Sequence, residues 1–242
     1  MIEIKGLSKS FNGRVVLDDI SANFQQGKTN MVIGGSGTGK SVLLKCMIGI
    51  LVPEQGKVLY DGRNFLTAHQ DVVKEIRREM GVLFQGGALF DSKSVLENVR
   101  FPLDTLTSQT LEEKNAQAML CLQRVGLENA ALLMPSEISG GMKKRVGIAR
   151  AIVMNPKYLF CDEPNSGLDP LTAVKIDYLI QEITQEYNMT TVVISHDMNS
   201  VMRMGESIIF LKEGKKIWEG NSETFPHSGL PALEEFLSTK LV

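Results

Sequence analysis

Eight residues near the start of the chain have the types and spacing of a phosphate-binding loop. They are Gly34, Gly35, Ser36, Gly37, Thr38, Gly39, Lys40 and Ser41. The stretch fits G-x-x-x-x-G-K-[ST] at every fixed position. Glycines permit the positive φ angles that turn backbone N–H groups toward an anion, Lys40 adds a cation, and the Ser41 hydroxyl suits Mg²⁺. The loop predicts binding of a nucleoside triphosphate with Mg²⁺.

The residues on either side of this loop have the pattern that the motif requires. Met31–Ile33 is typical of a strand, and Gly39–Ile50 is typical of a buried helix. The N-terminus of that helix would add its positive dipole end to the anion site. An ordinary glycine-rich turn is the alternative, and the strand-then-helix context with Lys40 and Ser41 disfavours it.

Two carboxylates follow a second short apolar run, Tyr158–Cys161. They stand at the carboxyl end of a predicted buried strand, where open α/β sheets bind ligands. Asp162 would hold Mg²⁺ through water, and Glu163 would polarise the attacking water. A strand-end turn with solvated acids is the alternative. Beside a phosphate loop, the acid pair predicts a nucleoside triphosphatase.

A second helix start carries a capping serine and two glycines, in the order Ser139, Gly140, Gly141 and Met142. Its N-terminal N–H groups form a further anion-binding end. The chain's own triphosphate is already assigned to Gly34–Ser41, so we expect this end to face the γ-phosphate of a second copy. A two-fold homodimer with two ATP molecules at the interface satisfies both surfaces.

The charge of the chain excludes nucleic acid as an expected partner. The 26 Lys and Arg residues nearly balance 28 Asp and Glu residues, leaving a net charge of −2 and a pI near 6.0. Three cations, Lys143–Arg145, follow the capping segment, and such a run usually marks a solvated helix face.

The positions of these motifs predict the fold. Strands alternate with helices, which indicates an α/β protein with a mostly parallel sheet covered on both faces. From about Ser94 to Asn155 the pattern is helical, with capping boxes at Ser94/Glu97 and Thr110/Glu113. We expect a single domain over residues 1–242, with a core from 1–86 and 156–242 and a helical subdomain at about 87–155.

Several motifs in order make the chain resemble the nucleotide-binding cassette of ABC ATPases over essentially its whole length. Besides the loop and acid pair, they are Phe84-Gln85, Ile138-Ser139-Gly140-Gly141-Met142 (the signature), Ser166-Gly167-Leu168-Asp169 and Ile194-Ser195-His196-Asp197. The resemblance implies a P-loop NTPase fold with an antiparallel β subdomain and an inserted α-helical subdomain. It also implies ATP and Mg²⁺ as cofactors, with Lys40, Glu163 and His196 as catalytic residues.

The resemblance assigns further roles residue by residue. Phe11 would stack on adenine, although a strand-end core aromatic is the alternative. Gln85 would contact Mg²⁺ near the membrane partner. Asp169 would lie on the loop that crosses the dimer interface, and it could also cap the following helix. His196 would hydrogen-bond the γ-phosphate.

Two segments resemble the Mla-type cassettes of bacterial phospholipid transport. These are Ser-Gly-Gly-Met-Lys-Lys-Arg-Val from Ser139 and the stretch Gly81–Ser92. The resemblance implies a multi-span permease, an MCE-domain lipid-binding partner and a peripheral position on the cytoplasmic face of the inner membrane. Some relatives carry a STAS-type regulatory subunit near a longer C-terminal extension. Here that partner is doubtful, because we expect the stripe Leu230, Leu233, Leu237 and Leu241 to pack on a cassette.

Other functions remain open at this point. One is an ABC transporter for another lipid, a lipoprotein or a small solute. Another is a soluble ABC ATPase that drives an assembly system, as in iron–sulfur cluster assembly. A binding module without turnover is disfavoured, since Lys40, Asp162, Glu163 and His196 are all present.

Overall fold

A computed structural model describes residues 1–238 as an alternation of strands and helices. The strands are β1 (Ile2–Phe11), β2 (Arg14–Phe24), β3 (Thr29–Ile33), β4 (Gln55–Tyr60), β5 (Arg63–Asn64), β6 (Met80–Leu83), β7 (Tyr158–Asp162), β8 (Thr190–Ser195), β9 (Ser207–Lys212) and β10 (Lys215–Gly220). The helices are α1 (Lys40–Met47), α2 (Gln70–Arg78), α3 (Val95–Leu106), α4 (Leu111–Arg124), α5 (Gly140–Ile152), α6 (Pro170–Glu186), α7 (Met198–Met204) and α8 (Pro231–Ser238).

The larger sheet has six strands in the order β10-β9-β3-β8-β7-β6. Five of them are parallel and β10 is antiparallel, as the sequence predicts. The neighbours β3, β8 and β7 are in register, with Ile33 opposite Ser195 and Asp162 opposite Ile194. The phosphate loop, the acid pair and His196 follow these strand ends directly, so the sheet places all three motifs at one edge.

The smaller sheet is antiparallel and has the order β2-β1-β4-β5. Its first hairpin turns at Asn12 and Gly13, both with positive φ, and an Asn-Gly pair is typical of a two-residue hairpin turn. Register shifts interrupt the alternation of apolar residues along β1 and β2, so the full lengths of these strands are not evident from the sequence pattern. Gly6 and Asp19, both with positive φ, lie at these irregularities.

Helices α3, α4 and α5 lie between β6 and β7 in the chain, as the helical pattern predicts. Both predicted capping boxes are confirmed: each hydroxyl accepts from the N3 amide, and each glutamate accepts from the cap amide. Gly126, with a φ of 66°, follows the end of α4. Helix α2 was not predicted, because it is short and buries only Ile76 among its apolar residues.

Alternate residues of the parallel strands face two different cores. In β7, Leu159 and Cys161 join the core against α3–α6, whereas Tyr158 and Phe160 join the core against α1 and the smaller sheet. At the C-terminal stripe, Leu233 of α8 is buried, and Leu237 of α8 and the preceding Leu230 pack against the same core, as expected. Leu241 lies outside the described residues. Within residues 1–238, no helix combines the length and apolar character needed to cross a bilayer.

Candidate functional site

The phosphate loop connects β3 to α1 and is built tightly against the strands around it. Gly34 has a φ of 151°, and a Cβ there would lie 2.3 Å from the carbonyl oxygen of Leu211. Gly39 has a φ of 101°, and a Cβ there would lie 2.7 Å from Leu17. These positions therefore require glycine. The Nζ of Lys40 donates to the carbonyl oxygens of Gly34 and Gly35, at 2.8 Å each, which holds the ammonium over the loop.

Ser41 and Asp162 bring two oxygen donors together beside this loop. The Ser41 hydroxyl lies 3.5 Å from Oδ1 of Asp162, and Asp162 is 8% exposed. Burial, followed by the neighbouring charge of Glu163, raises the pKa of the Asp162 carboxyl. Hard oxygen donors of this kind fit Mg²⁺, which completes its shell with waters and phosphate oxygens.

Glu163 and His196 form a hydrogen-bonded pair at the same edge of the sheet. Oε1 of Glu163 lies 2.7 Å from Nδ1 of His196. The Glu163 backbone has a φ of 50°, and its N–H donates to the carbonyl of Ile194 at 3.0 Å. The pair therefore bridges the ends of β7 and β8. A carboxylate in this position can accept a proton from a water beside a phosphate held by the loop.

A polar network that the sequence did not reveal links the turn after Glu163 to the turn after His196. Asn165 donates to Oδ1 of Asp177 at 2.5 Å and to the Ser200 hydroxyl at 2.9 Å. Ser200 contacts Oδ2 of Asp177 at 2.9 Å and Asp197 at 3.1 Å, and Arg203 pairs with Asp177. Asp177 is fully buried and its pKa is raised by that burial. The signal in the sequence that could have revealed this network is the carboxylate of Asp177 beside the buried apolar residues of α6.

The signature segment lies at the N-terminus of α5 and opens to solvent. Ser139 caps the helix, because its hydroxyl accepts from the Met142 N–H at 3.3 Å. A Cβ at Gly141 would lie 2.6 Å from the Thr172 methyl, so glycine allows α5 to approach α6 closely. Ser139, Gly140, Gly141 and Asp169 line one cavity of about 340 Å³. This cavity shares no lining residue with the cavity at the phosphate loop.

The remaining predicted site residues lie at the surface. Phe11 ends β1, is 41% exposed and has the Lys9 ammonium 5.1 Å from its ring centre; the core alternative for this aromatic is therefore wrong. Gln85 is exposed in the turn that follows β6. Asp169 caps α6, since its Oδ1 accepts from the Thr172 N–H at 3.0 Å.

The expectation of a solvated face for Lys143–Arg145 is wrong for Lys144, which is buried, whereas Lys143 and Arg145 are half-buried. Lys144 is 4% exposed, and its Nζ donates to the carbonyl oxygen of Glu163 at 3.2 Å. Arg145 donates to the carbonyl of Val125 at 3.0 Å. A basic run does not by itself indicate a solvated face here, because α5 packs against elements whose backbone carbonyls accept hydrogen bonds from these cations.

Comparison with known proteins extends these observations. The family model described as ABC transporter matches residues 17–166. The chain is 38% identical, over 98% of its length and 90% of the relative, to the intermembrane phospholipid transport system ATP-binding protein MlaF of Haemophilus influenzae. It is also 38% identical, over 100% of its length and 70% of the relative, to the probable ribonucleotide transport ATP-binding protein mkl of Mycobacterium leprae.

A solved structure has a similar fold over most of the chain. It is the dimeric, post-hydrolysis state of the ATP-binding cassette MJ0796 bound to ADP and Pi, with a TM-score of 0.82 and 32% identity. The match covers 92% of this chain and 99% of that one. The family model, the two relatives and the shared fold lead to the same conclusion. The chain belongs to the ABC transporter family, as an ATP-binding subunit that hydrolyses ATP.

Proposed function

We propose that the chain is the ATPase of a bacterial transporter that moves phospholipids between the inner membrane and the envelope. The MlaF relative, which carries that activity in its name, is matched over 98% of this chain. In this proposal the chain binds a multi-span permease at the cytoplasmic face of the inner membrane, and the permease acts with an MCE-domain protein. The ATP-driven motion of the cassette would be coupled to lipid movement by the permease.

The observation that carries the hydrolytic part is the Glu163–His196 pair, 2.7 Å apart at the edge that holds the phosphate loop. Loop N–H groups and Lys40 would bind the phosphates, while Ser41, Asp162 and Gln85 would hold Mg²⁺. Bound Mg²⁺ would neutralise charge on the phosphate oxygens. Glu163 would take the proton of the attacking water, and His196 would orient Glu163 and hydrogen-bond the γ-phosphate.

A second copy of the chain completes the site in this proposal. Its Ser139, Gly140 and Gly141 would present the N-terminus of α5 to the γ-phosphate, and Asp169 would lie across the interface. Phe11 would stack on the adenine. The exposed signature segment and its separate cavity support a site that is shared between two chains. The helical subdomain at about 87–155 would carry this segment as the dimer closes.

The C-terminal stripe argues against a regulatory subunit of the STAS type. Leu230, Leu233 and Leu237 pack on the core of the chain itself, so we leave that subunit out of the proposal. A different transported molecule is the second candidate function, because the mkl relative is named for ribonucleotide transport.

The test is an affinity purification of tagged Glu163→Gln from detergent-solubilised membranes of the source cells, with ATP and Mg²⁺ present. We expect a multi-span permease, an MCE-domain protein and bound phospholipid to co-purify. Lys40→Ala is the control, because it should not close on ATP and should retain less of the complex. Recovery of a ribonucleotide other than ATP or ADP, in place of phospholipid, would favour the second candidate, and recovery of soluble partners alone would overturn the transporter proposal.

A further inference from the structure

Lys144 is a buried cation that neither the phosphate loop nor the signature segment includes. It lies in α5, four residues after Gly140, and is 4% exposed. Its Nζ donates to the backbone carbonyl of Glu163 at 3.2 Å. Burial lowers the pKa of this ammonium, while the charges of Glu163 and Asp162 act in the opposite direction. The ammonium of α5 therefore reaches the turn that carries the proposed catalytic base.

A cation at this position is costly if its only purpose is to fill space. Removing an ammonium from water costs several kcal/mol in proteins, and one neutral carbonyl offsets part of that cost. A methionine would fill a similar volume without the penalty. The ammonium is better explained by the bond that it makes to Glu163.

Glu163 needs anchors because its backbone is held in an unfavourable conformation. Its φ of 50° lies in the left-handed region, which costs a non-glycine residue about 1–3 kcal/mol. One anchor is the Ile194 carbonyl, which accepts from the Glu163 N–H, and another is His196, which bonds the side chain. The Glu163 carbonyl accepts from the Ser166 N–H, at 3.2 Å, and from Lys144. Lys144 is the anchor that comes from α5.

We propose that Lys144 is a positioning residue that ties the signature helix of each chain to that chain's own catalytic Glu163. Gly140 and Lys144 are one helical turn apart, so a displacement of the N-terminus of α5 reaches the Glu163 carbonyl through a rigid element. In the dimer, the signature segment would contact the ATP of the partner. Lys144 thereby links occupation of one ATP site to the alignment of the base in the other. The inference rests on the proposed function.

The test compares three variants of the full chain. Lys144→Met removes the donor and keeps the volume, Lys144→Arg keeps a cationic donor, and Lys143→Met is the matched control on the neighbouring, more exposed lysine. We expect Lys144→Met to lower the kcat for MgATP about 10- to 100-fold, as a misplaced catalytic group does. KM and the affinity for a fluorescent ATP analogue should stay unchanged, and the melting temperature should not fall, because methionine removes the cost of burying the ammonium. Lys144→Arg should recover a large part of kcat, and Lys143→Met should behave as wild type.

A second measurement does not depend on turnover. Hydrogen exchange in a peptide covering residues 162–168 should be faster in Lys144→Met than in Lys143→Met, because the turn has lost an anchor. Unchanged kcat or unchanged exchange in Lys144→Met would overturn the inference. A joint fall of kcat, nucleotide affinity and melting temperature would also overturn it, since that result indicates a structural role alone. If the wild-type chain hydrolyses no ATP even in the assembled complex with its membrane partner, the proposed function fails, and the exchange comparison still decides whether Lys144 holds the Glu163 turn.

Discussion

The N-termini of α1 and α5 both lie at glycine-rich segments with the pattern of anion-binding sites, and they differ in the side chains that lie around them. At the start of α1, the chain supplies the buried Lys40, the buried Asp162 and the Glu163–His196 pair. At the start of α5, Ser139 and Gly140 are exposed, and the hydroxyl of Ser139 is already used as a helix cap. The first end therefore carries most of the groups of a phosphate site, whereas in our proposal the second contributes to such a site only together with a partner chain.

The difference follows from where each helix begins. Helix α1 follows the central strand β3, so the neighbouring strand ends surround its N-terminus with catalytic side chains. Helix α5 begins after a 3₁₀ turn at Pro135–Glu137, away from those strand ends. In the proposed dimer, each catalytic centre would combine the α1 end of one chain with the α5 end of the other, so changes at the two ends should affect binding and turnover differently.

Glu163→Gln should have the largest effect on turnover. Because glutamine cannot take a proton from water, hydrolysis should fall about 10²–10⁴-fold, or about 3–5 kcal/mol of barrier. ATP binding should be unchanged, since Glu163 is not part of the phosphate loop. Steady-state ATPase assays and equilibrium binding check this, with the exposed Glu112→Gln as the control. Near-normal turnover would show that the α1 end lacks the base assigned to it.

Asp177→Ala should lower the free energy of unfolding by about 3–5 kcal/mol, because it removes a fully buried carboxylate and leaves its buried and partly buried partners unpaired. The partners are Asn165, Ser200 and Arg203. Urea denaturation measures the change. Glu182→Ala, at an exposed position of the same helix, is the control. Equal stability of the two variants would mean that this network does not stabilise the turns that carry Glu163 and His196.

Ser139→Arg should show most clearly that the α1 end determines ATP binding and that the α5 end affects turnover. A single chain should bind ATP normally, because the phosphate loop is untouched. Turnover should fall about 100-fold, since the bulky cation blocks the signature end from the partner's phosphate. ATPase assays over a range of chain concentrations check this, with Ser136→Arg as the control. If the isolated monomer hydrolyses ATP as fast as the assembled complex, the shared-site interpretation is wrong.

Ser94→Ala should have the smallest effect and should be confined to the helical insertion. The Ser94 hydroxyl accepts from the Glu97 N–H at 3.2 Å, and loss of such a cap costs about 1 kcal/mol. Thermal unfolding measures the loss, and the exposed Ser92→Ala is the control. Nucleotide affinity should not change, since Ser94 lies outside the phosphate loop. A lower affinity would indicate that the insertion influences the α1 end before dimer formation.

Local patterns allowed much of this molecule to be predicted. The loop Gly34–Ser41 and the signature segment identified the family, and the family match confirms it. The capping boxes at Ser94 and Thr110 were predicted from pairs three residues apart, because a cap is formed within one helical turn. Helix α2 is not evident from the sequence because it is short and has few apolar residues. The full lengths of β1 and β2 are not evident because register shifts interrupt the period of two.

The sequence by itself determined the chemistry that is written in short spacings, namely the phosphate loop, the acid pair and the order of the family motifs. Only the tertiary structure decided which side chains support that chemistry. Lys144 is 19 residues from Glu163, and Asp177 is 12 residues from Asn165. Their partners are brought close by packing between helices and strands. A lysine in a basic run has the same sequence pattern whether it is solvated or buried, because the free energy of its position depends on neighbours that are distant in the chain.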